Sequence, residues 1–177
     1  GSYKDVLHCF GYPGNHQFFH LINYTLYLLI GKHQWAMGVV FILSHASLCY
    51  LIYRTFRYLM EMLGVDSGGL VALFAAIFTA LSPYVIETIT WDACFHYILV
   101  SGLVFGALNC LLRFWKTNER AWLYYHLGLF FLALFTLELA LVAPGIFVVY
   151  LFLLAWSKDE FKRFFSMCLW LIPVYVA

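Results

Sequence analysis

The chain has 177 residues, of which 64% are apolar and 11% charged, where an ordinary soluble domain has roughly half and about a quarter. With 18 Phe, 13 Tyr and 6 Trp as well, that balance excludes a disordered chain, a nucleic-acid-binding domain and a soluble disulfide scaffold, because a chain this size has too little interior to hide so much apolar surface from water. The net charge of +1 creates no field of its own, so the placement of the charges matters more than their sum.

The first predicted element is a helix over 16–30. Phe18, Phe19, Ile22, Leu26 and Leu29 recur at spacings of three and four, while Gln17, His20, Asn23 and Tyr24 interrupt the run. It is short for a crossing and reads as a helix lying along the outer membrane interface, where Tyr and His reach headgroups and water. A hydrocarbon layer about 30 Å thick needs about 20 mostly apolar residues, and 35–60, 69–86 and 93–112 each supply such a run. The stretch 121–156 is apolar except for His126 and Glu138; as one helix it would reach about 54 Å, nearly twice the membrane. Pro144-Gly145 suits a restart, since proline fits the first turn of a helix, and two spans over 121–137 and 140–156 are expected. Residues 164–177 begin a further span and stop short of crossing, so the chain reads as a piece of a longer protein. The expected fold is all-α: one polytopic transmembrane helical bundle over 1–177 with an outer interfacial helix. No internal repeat, heptad pattern or low-complexity tract is visible.

The basic residues give the orientation. Arg54 and Arg57 follow the first span, Arg113, Lys116 and Arg120 the third, and Lys158, Lys162 and Arg163 the fifth. These alternate loops are cytoplasmic by the positive-inside rule, and the protein is expected to be a multi-pass integral membrane protein. The opposite loops carry Glu87, Asp92 and Glu138.

Carboxylates at the ends of apolar helices are costly and call for an explanation. Two readings apply to each: a polar site that binds sugar hydroxyls, a cation or a metal-bound phosphate, or a cap for the following helix. The cap suits Asp92, directly before a span, while Glu87 and Glu138 lean towards a site. His16 and His20 have an i, i+4 spacing that suits metal, but with no third ligand in view interfacial hydrogen bonding accounts for them better. His45, His96 and His126 read as partners of neighbouring helices. The cysteines Cys9, Cys49, Cys94, Cys110 and Cys168 form no CxxC pair and read as small apolar residues.

The order of these segments resembles the GT-C superfamily of integral-membrane glycosyltransferases, in the branch related to protein O-mannosyltransferases. Tyr12-Pro13 and the helix ending at Gly31 are similar to the family's Arg-Pro segment and interfacial helix, and His45 falls where a His commonly ends a motif. Pro83, Glu87 and Trp91 match a Pro-x-x-x-Glu-x-x-x-Trp pattern, and Thr136-Leu137-Glu138, followed by Pro144 and Tyr150, resembles a Ser-Lys-Glu segment. The chain departs from the pattern at Leu137 (Lys in the family), Ser82 (His), Gly38 (His) and Phe41 (Asn), and it lacks the first transmembrane helix and the outer-loop Asp that serves as base. The resemblance implies sugar transfer from a polyisoprenyl-phosphate-linked donor to an acceptor hydroxyl on the non-cytoplasmic face of a bacterial inner membrane, plasma membrane or endoplasmic reticulum. It implies substrate-binding roles for Glu87, Trp91, Asp92 and Glu138, no catalytic residue within this segment, a divalent cation as possible cofactor, and membrane lipids as partners. The rival expectation is a non-catalytic transmembrane subunit of a larger membrane complex. A transporter fits less well, for want of paired intramembrane charges.

Overall fold

The computed structural model describes residues 17–31, 33–82 and 95–176. Among them there is no strand: the elements are α1 (Gln17–Ile30), α2 (Gln34–Leu63), α3 (Gly68–Leu81), α4 (Phe95–Thr117), α5 (Arg120–Leu134), a 3-10 helix (Glu138–Val142), α6 (Ala143–Lys158) and α7 (Phe161–Val176). Among the described residues three stretches are long and apolar enough to cross a membrane: α2, α4, and the 3-10 helix running on into α6. Helices α3 and α5, with 14 and 15 residues, reach about 21–23 Å, short of the hydrocarbon thickness.

Helix α4 is the hub. Its buried residues Ala107, Leu108, Leu111, Leu112 and Trp115 recur at three and four, the spacing of a single helix face. They meet Leu59 and Met62 of α2, Phe130 of α5, Phe147, Leu151 and Leu154 of α6, and Phe164, Met167 and Leu171 of α7. Along α2 the buried residues are Phe41, His45, Leu48, Ile52, Thr55, Leu59 and Met62. Their steps alternate strictly between four and three, a heptad seam of the kind that supports shallow, left-handed crossing. The sequence hides this seam because its flanks are apolar too: Ile42, Leu43 and Tyr50 lie on the same helix but are about 60% exposed.

The outward faces are as apolar as the core. Phe74, Phe78 and Leu81 on α3, Trp156 on α6, and Leu169 and Trp170 on α7 are at least 69% exposed. Water makes such faces prohibitive, whereas lipid tails solvate them.

The helix connections gather the charge at one end. The first turn is made by Gly64 at φ 72°, with the Gly64 N–H donating to Glu61 O and the Val65 N–H to Met60 O, the paired bonds of a Schellman motif. Asn118 (φ 59°) and Asp159 (φ 55°) take the same left-handed backbone just past α4 and α6, as these short polar side chains tolerate. Cation–π contacts then tie these ends together. Arg113 lies over the Trp122 ring at 4.6 Å, Lys116 over Tyr58 at 5.2 Å and Arg163 over Trp115 at 4.8 Å. The basic residues at the C-terminal ends of α2 and α4 and at the start of α7 thus share one end of the bundle.

The connection from α5 to α6 turns earlier than Pro144. Thr136 donates its hydroxyl to Leu132 O, and the N–H groups of Thr136 and Leu137 both reach Ala133 O. Leu137 is then extended (φ −161°, ψ 139°), which ends the helix. Pro144 sits within the first turn of α6, where its missing N–H costs nothing.

Candidate functional site

The end of the bundle opposite the basic cluster carries Glu138, one of the three carboxylates that the sequence reading assigns to the outer loops. Helix α1 is anchored there: the Phe18 N–H donates to Phe135 O at 2.9 Å, and Phe19 is buried against Phe41 of α2 and Phe95 of α4. The rings of Phe41 and Phe95 stack with centroids 4.8 Å apart, and His96 presents its ring to Phe19 at 5.3 Å. The first turn of α4, the start of α1 and the end of α5 therefore form one aromatic and polar rim.

Glu138 stands on this rim as the first residue of the 3-10 helix, exposed. It is flanked by Leu139, Leu141 and Val142, each about 60% exposed, so a carboxylate projects from an otherwise apolar collar. Its position at the start of the 3-10 helix and α6 places it near unsatisfied N–H groups, a favourable site for negative charge. It makes no ion pair among the described residues, and its oxygens can accept hydrogen bonds from hydroxyls or coordinate a cation. Directly before it, Leu137 is buried among Val100, Ala133 and Ala140.

Glu87, Trp91 and Asp92 lie outside the described residues, as do His16, Cys9 and Cys94, so of the four site residues named from the sequence only Glu138 is described. Among the described residues no group of three His, Cys, Asp or Glu side chains gathers to hold a metal ion.

Of the histidines expected to pair with neighbouring helices, His126 does so, whereas among the described residues His45 meets only a residue of its own helix. His126 is fully buried, with Nδ1 2.9 Å from Ala107 O and Nε2 2.7 Å from the Tyr175 hydroxyl. The carbonyl only accepts, so Nδ1 carries the hydrogen, and a neutral ring then accepts at Nε2 from the Tyr175 O–H. One side chain thereby ties α5 to α4 and α7. His45 lies on the α2 seam with Nε2 3.6 Å from Cys49 Sγ, while its Nδ1 is buried with no partner.

One feature escaped the sequence reading. At the basic end, Arg54 and Arg57 of α2 and Arg113 of α4 line one polar cleft. From the sequence these residues served only to orient the spans; the i, i+3 spacing of Arg54 and Arg57 beside Tyr53 was the available signal. No protein-family model, curated protein or solved structure matches the chain.

Proposed function

We propose that the chain is the membrane-embedded part of a multi-pass glycosyltransferase that takes its sugar from a polyisoprenyl-phosphate donor and works on the face opposite the basic loops. The observation that supports this reading is Glu138: an exposed carboxylate on a 3-10 turn, within an apolar collar, at the end of the bundle away from the arginines. A lipid-linked sugar brings hydroxyls and phosphate to such a boundary while its isoprenoid stays among the apolar side chains. In this reading Glu87 and Glu138 orient the acceptor or a divalent ion, and Trp91 stacks on a sugar ring or on the isoprenoid. An outer-face Asp of the complete protein takes the proton of the acceptor hydroxyl. The hydroxyl oxygen then displaces the lipid phosphate from the anomeric carbon with inversion.

The test is transfer of a radiolabelled sugar from a polyisoprenyl-phosphate donor by membranes containing the complete protein. Glu87→Gln and Glu138→Gln should each lower transfer by about a hundredfold, the scale on which lost positioning acts, with the melting temperature unchanged. Transfer at the unaltered rate by both variants overturns the site.

A second reading, a non-catalytic subunit of a membrane complex, is favoured by Leu137. The position that carries Lys in the GT-C pattern is here a buried leucine packed in an apolar cluster. A complete protein that transfers no sugar from any such donor, yet co-purifies with a membrane partner in fixed ratio, would decide for this reading.

A further inference from the structure

Two depressions follow one another along the seam between α2 and α4. The first, about 420 Å³, is walled by apolar side chains, among them Val40, Leu43 and Leu51 of α2 and Ile98 and Leu103 of α4. The second, about 260 Å³, is lined by Tyr53, Arg54, Arg57, Glu61, Asn109 and Arg113. On α2 the lining passes from Leu51 to Arg54 within one turn.

The depth of the second cleft can be counted. The Phe41–Phe95 stack sets the level of the two helices at the other end; from it Arg54 lies about 20 Å along α2 and Arg113 about 27 Å along α4. Both fall short of the hydrocarbon thickness of about 30 Å, and long arginine side chains reach on from there to the level of the headgroups. Tyrosines 50, 53 and 58 stand around them, the residues favoured at that level.

Three guanidiniums share this cleft with one carboxylate. Arg57 Nε donates to Glu61 Oε1 at 3.0 Å and its Nη1 to the Tyr53 hydroxyl at 3.4 Å. Arg113 Nε donates to Asn109 Oδ1 at 3.1 Å while its guanidinium rests on Trp122. Arg54 has no carboxylate partner among the described residues. The cleft is therefore net positive, and two of its forks are held by neighbours with N–H groups to spare, the donor set that recognises phosphate oxygens.

We propose that this seam binds one anionic glycerophospholipid of the cytoplasmic leaflet, its phosphate between Arg54, Arg57 and Arg113 and an acyl chain in the apolar groove above. The groove argues for a lipid over free phosphate, since a soluble anion would leave the adjoining apolar walls unused. The assignment rests on the bilayer placement of the helices and is independent of sugar transfer.

The test is native mass spectrometry of the full chain released from detergent, after exposure to equimolar phosphatidylglycerol and phosphatidylcholine. One phosphatidylglycerol should remain bound in preference to phosphatidylcholine. Replacing Arg54→Gln together with Arg113→Gln should weaken its retention about thirtyfold, from the share each basic residue contributes near a membrane surface. Arg54→Lys with Arg113→Lys, which keeps the charge, should retain the lipid even if the Gln pair proves less stable. Independently, Gly102 lines the groove and a side chain there meets nothing within 4 Å, so Gly102→Leu should fill the groove and lower retention without shifting the helical melting curve. Equal retention of the two lipids would overturn the proposal. So would displacement of phosphatidylglycerol by millimolar inorganic phosphate, or retention unaffected by Gly102→Leu; either would identify a site for the phosphate alone.

Discussion

His126 shows how much one polar side chain can do inside an apolar bundle. It spans from the Ala107 carbonyl to the Tyr175 hydroxyl, and neither ring nitrogen is left over. Removing one partner of a buried pair costs more than removing both, because the survivor keeps its desolvation penalty. Tyr175→Phe should therefore destabilise the bundle by about 1 kcal/mol in detergent. The double variant His126→Phe/Tyr175→Phe should recover most of that loss. Thermal melts of the wild type, both single variants and the double variant close the cycle; strict additivity would show that the two side chains do not form the pair described. The ion pairs are a contrast at the same scale. Arg57–Glu61 and Arg163–Glu160 are both at or near solvent and contribute little to stability.

Among the elements, the α2–α3 hairpin is the most exposed to a single change. Its turn depends on Gly64 in the left-handed region, and its arms close on each other at Gly68, where a Cβ would collide with the Met60 side chain and approach its backbone. The Met60 Cβ is fixed by its own backbone and cannot swing away as a flexible side-chain tip does. Gly68→Leu should cost about 1–3 kcal/mol, the range for overpacking, whereas Gly69→Leu, with open space at Cβ, should cost far less. The measurement is the melting temperature of each variant in the same detergent, and equal losses would mean that the helices do not approach at Gly68. The element boundaries follow similarly local causes. Helix α5 stops because Leu137 is extended and Thr136 turns its hydroxyl back to Leu132, several residues before the proline that the sequence offers as the break.

For the whole molecule, the decisive property is that its two ends differ. One collects arginines and lysines from the ends of α2, α4, α6 and α7, three of them set over aromatic rings; the other carries Glu138 on an apolar collar. The positive-inside rule assigns the first end to the cytoplasm. Single cysteines at Lys116, Lys162 and Glu138, in a background with the native cysteines replaced, should react with a membrane-impermeant maleimide from opposite sides. Position 138 should be labelled in intact cells or sealed vesicles, and positions 116 and 162 only after the membrane is opened. Labelling of all three from the same side would overturn the topology.

The apolar composition, the helical class and the alternation of charge were legible in the sequence alone, because each follows from what a lipid solvent demands of any chain: satisfied backbone, apolar flanks and basic residues kept to one side. The sequence could also single out Glu138, since a carboxylate in such a run is conspicuous wherever it falls. It could not say which apolar residues face inward. In water polarity separates core from surface, but here Phe41 and Ile42 are neighbours of equal character, one buried and the other exposed, and only packing against α4 tells them apart. The same holds for the arginine cleft. Arg54 and Arg113 are 59 positions apart in the chain, and the parallel run of α2 and α4 alone brings them to one depth and one seam.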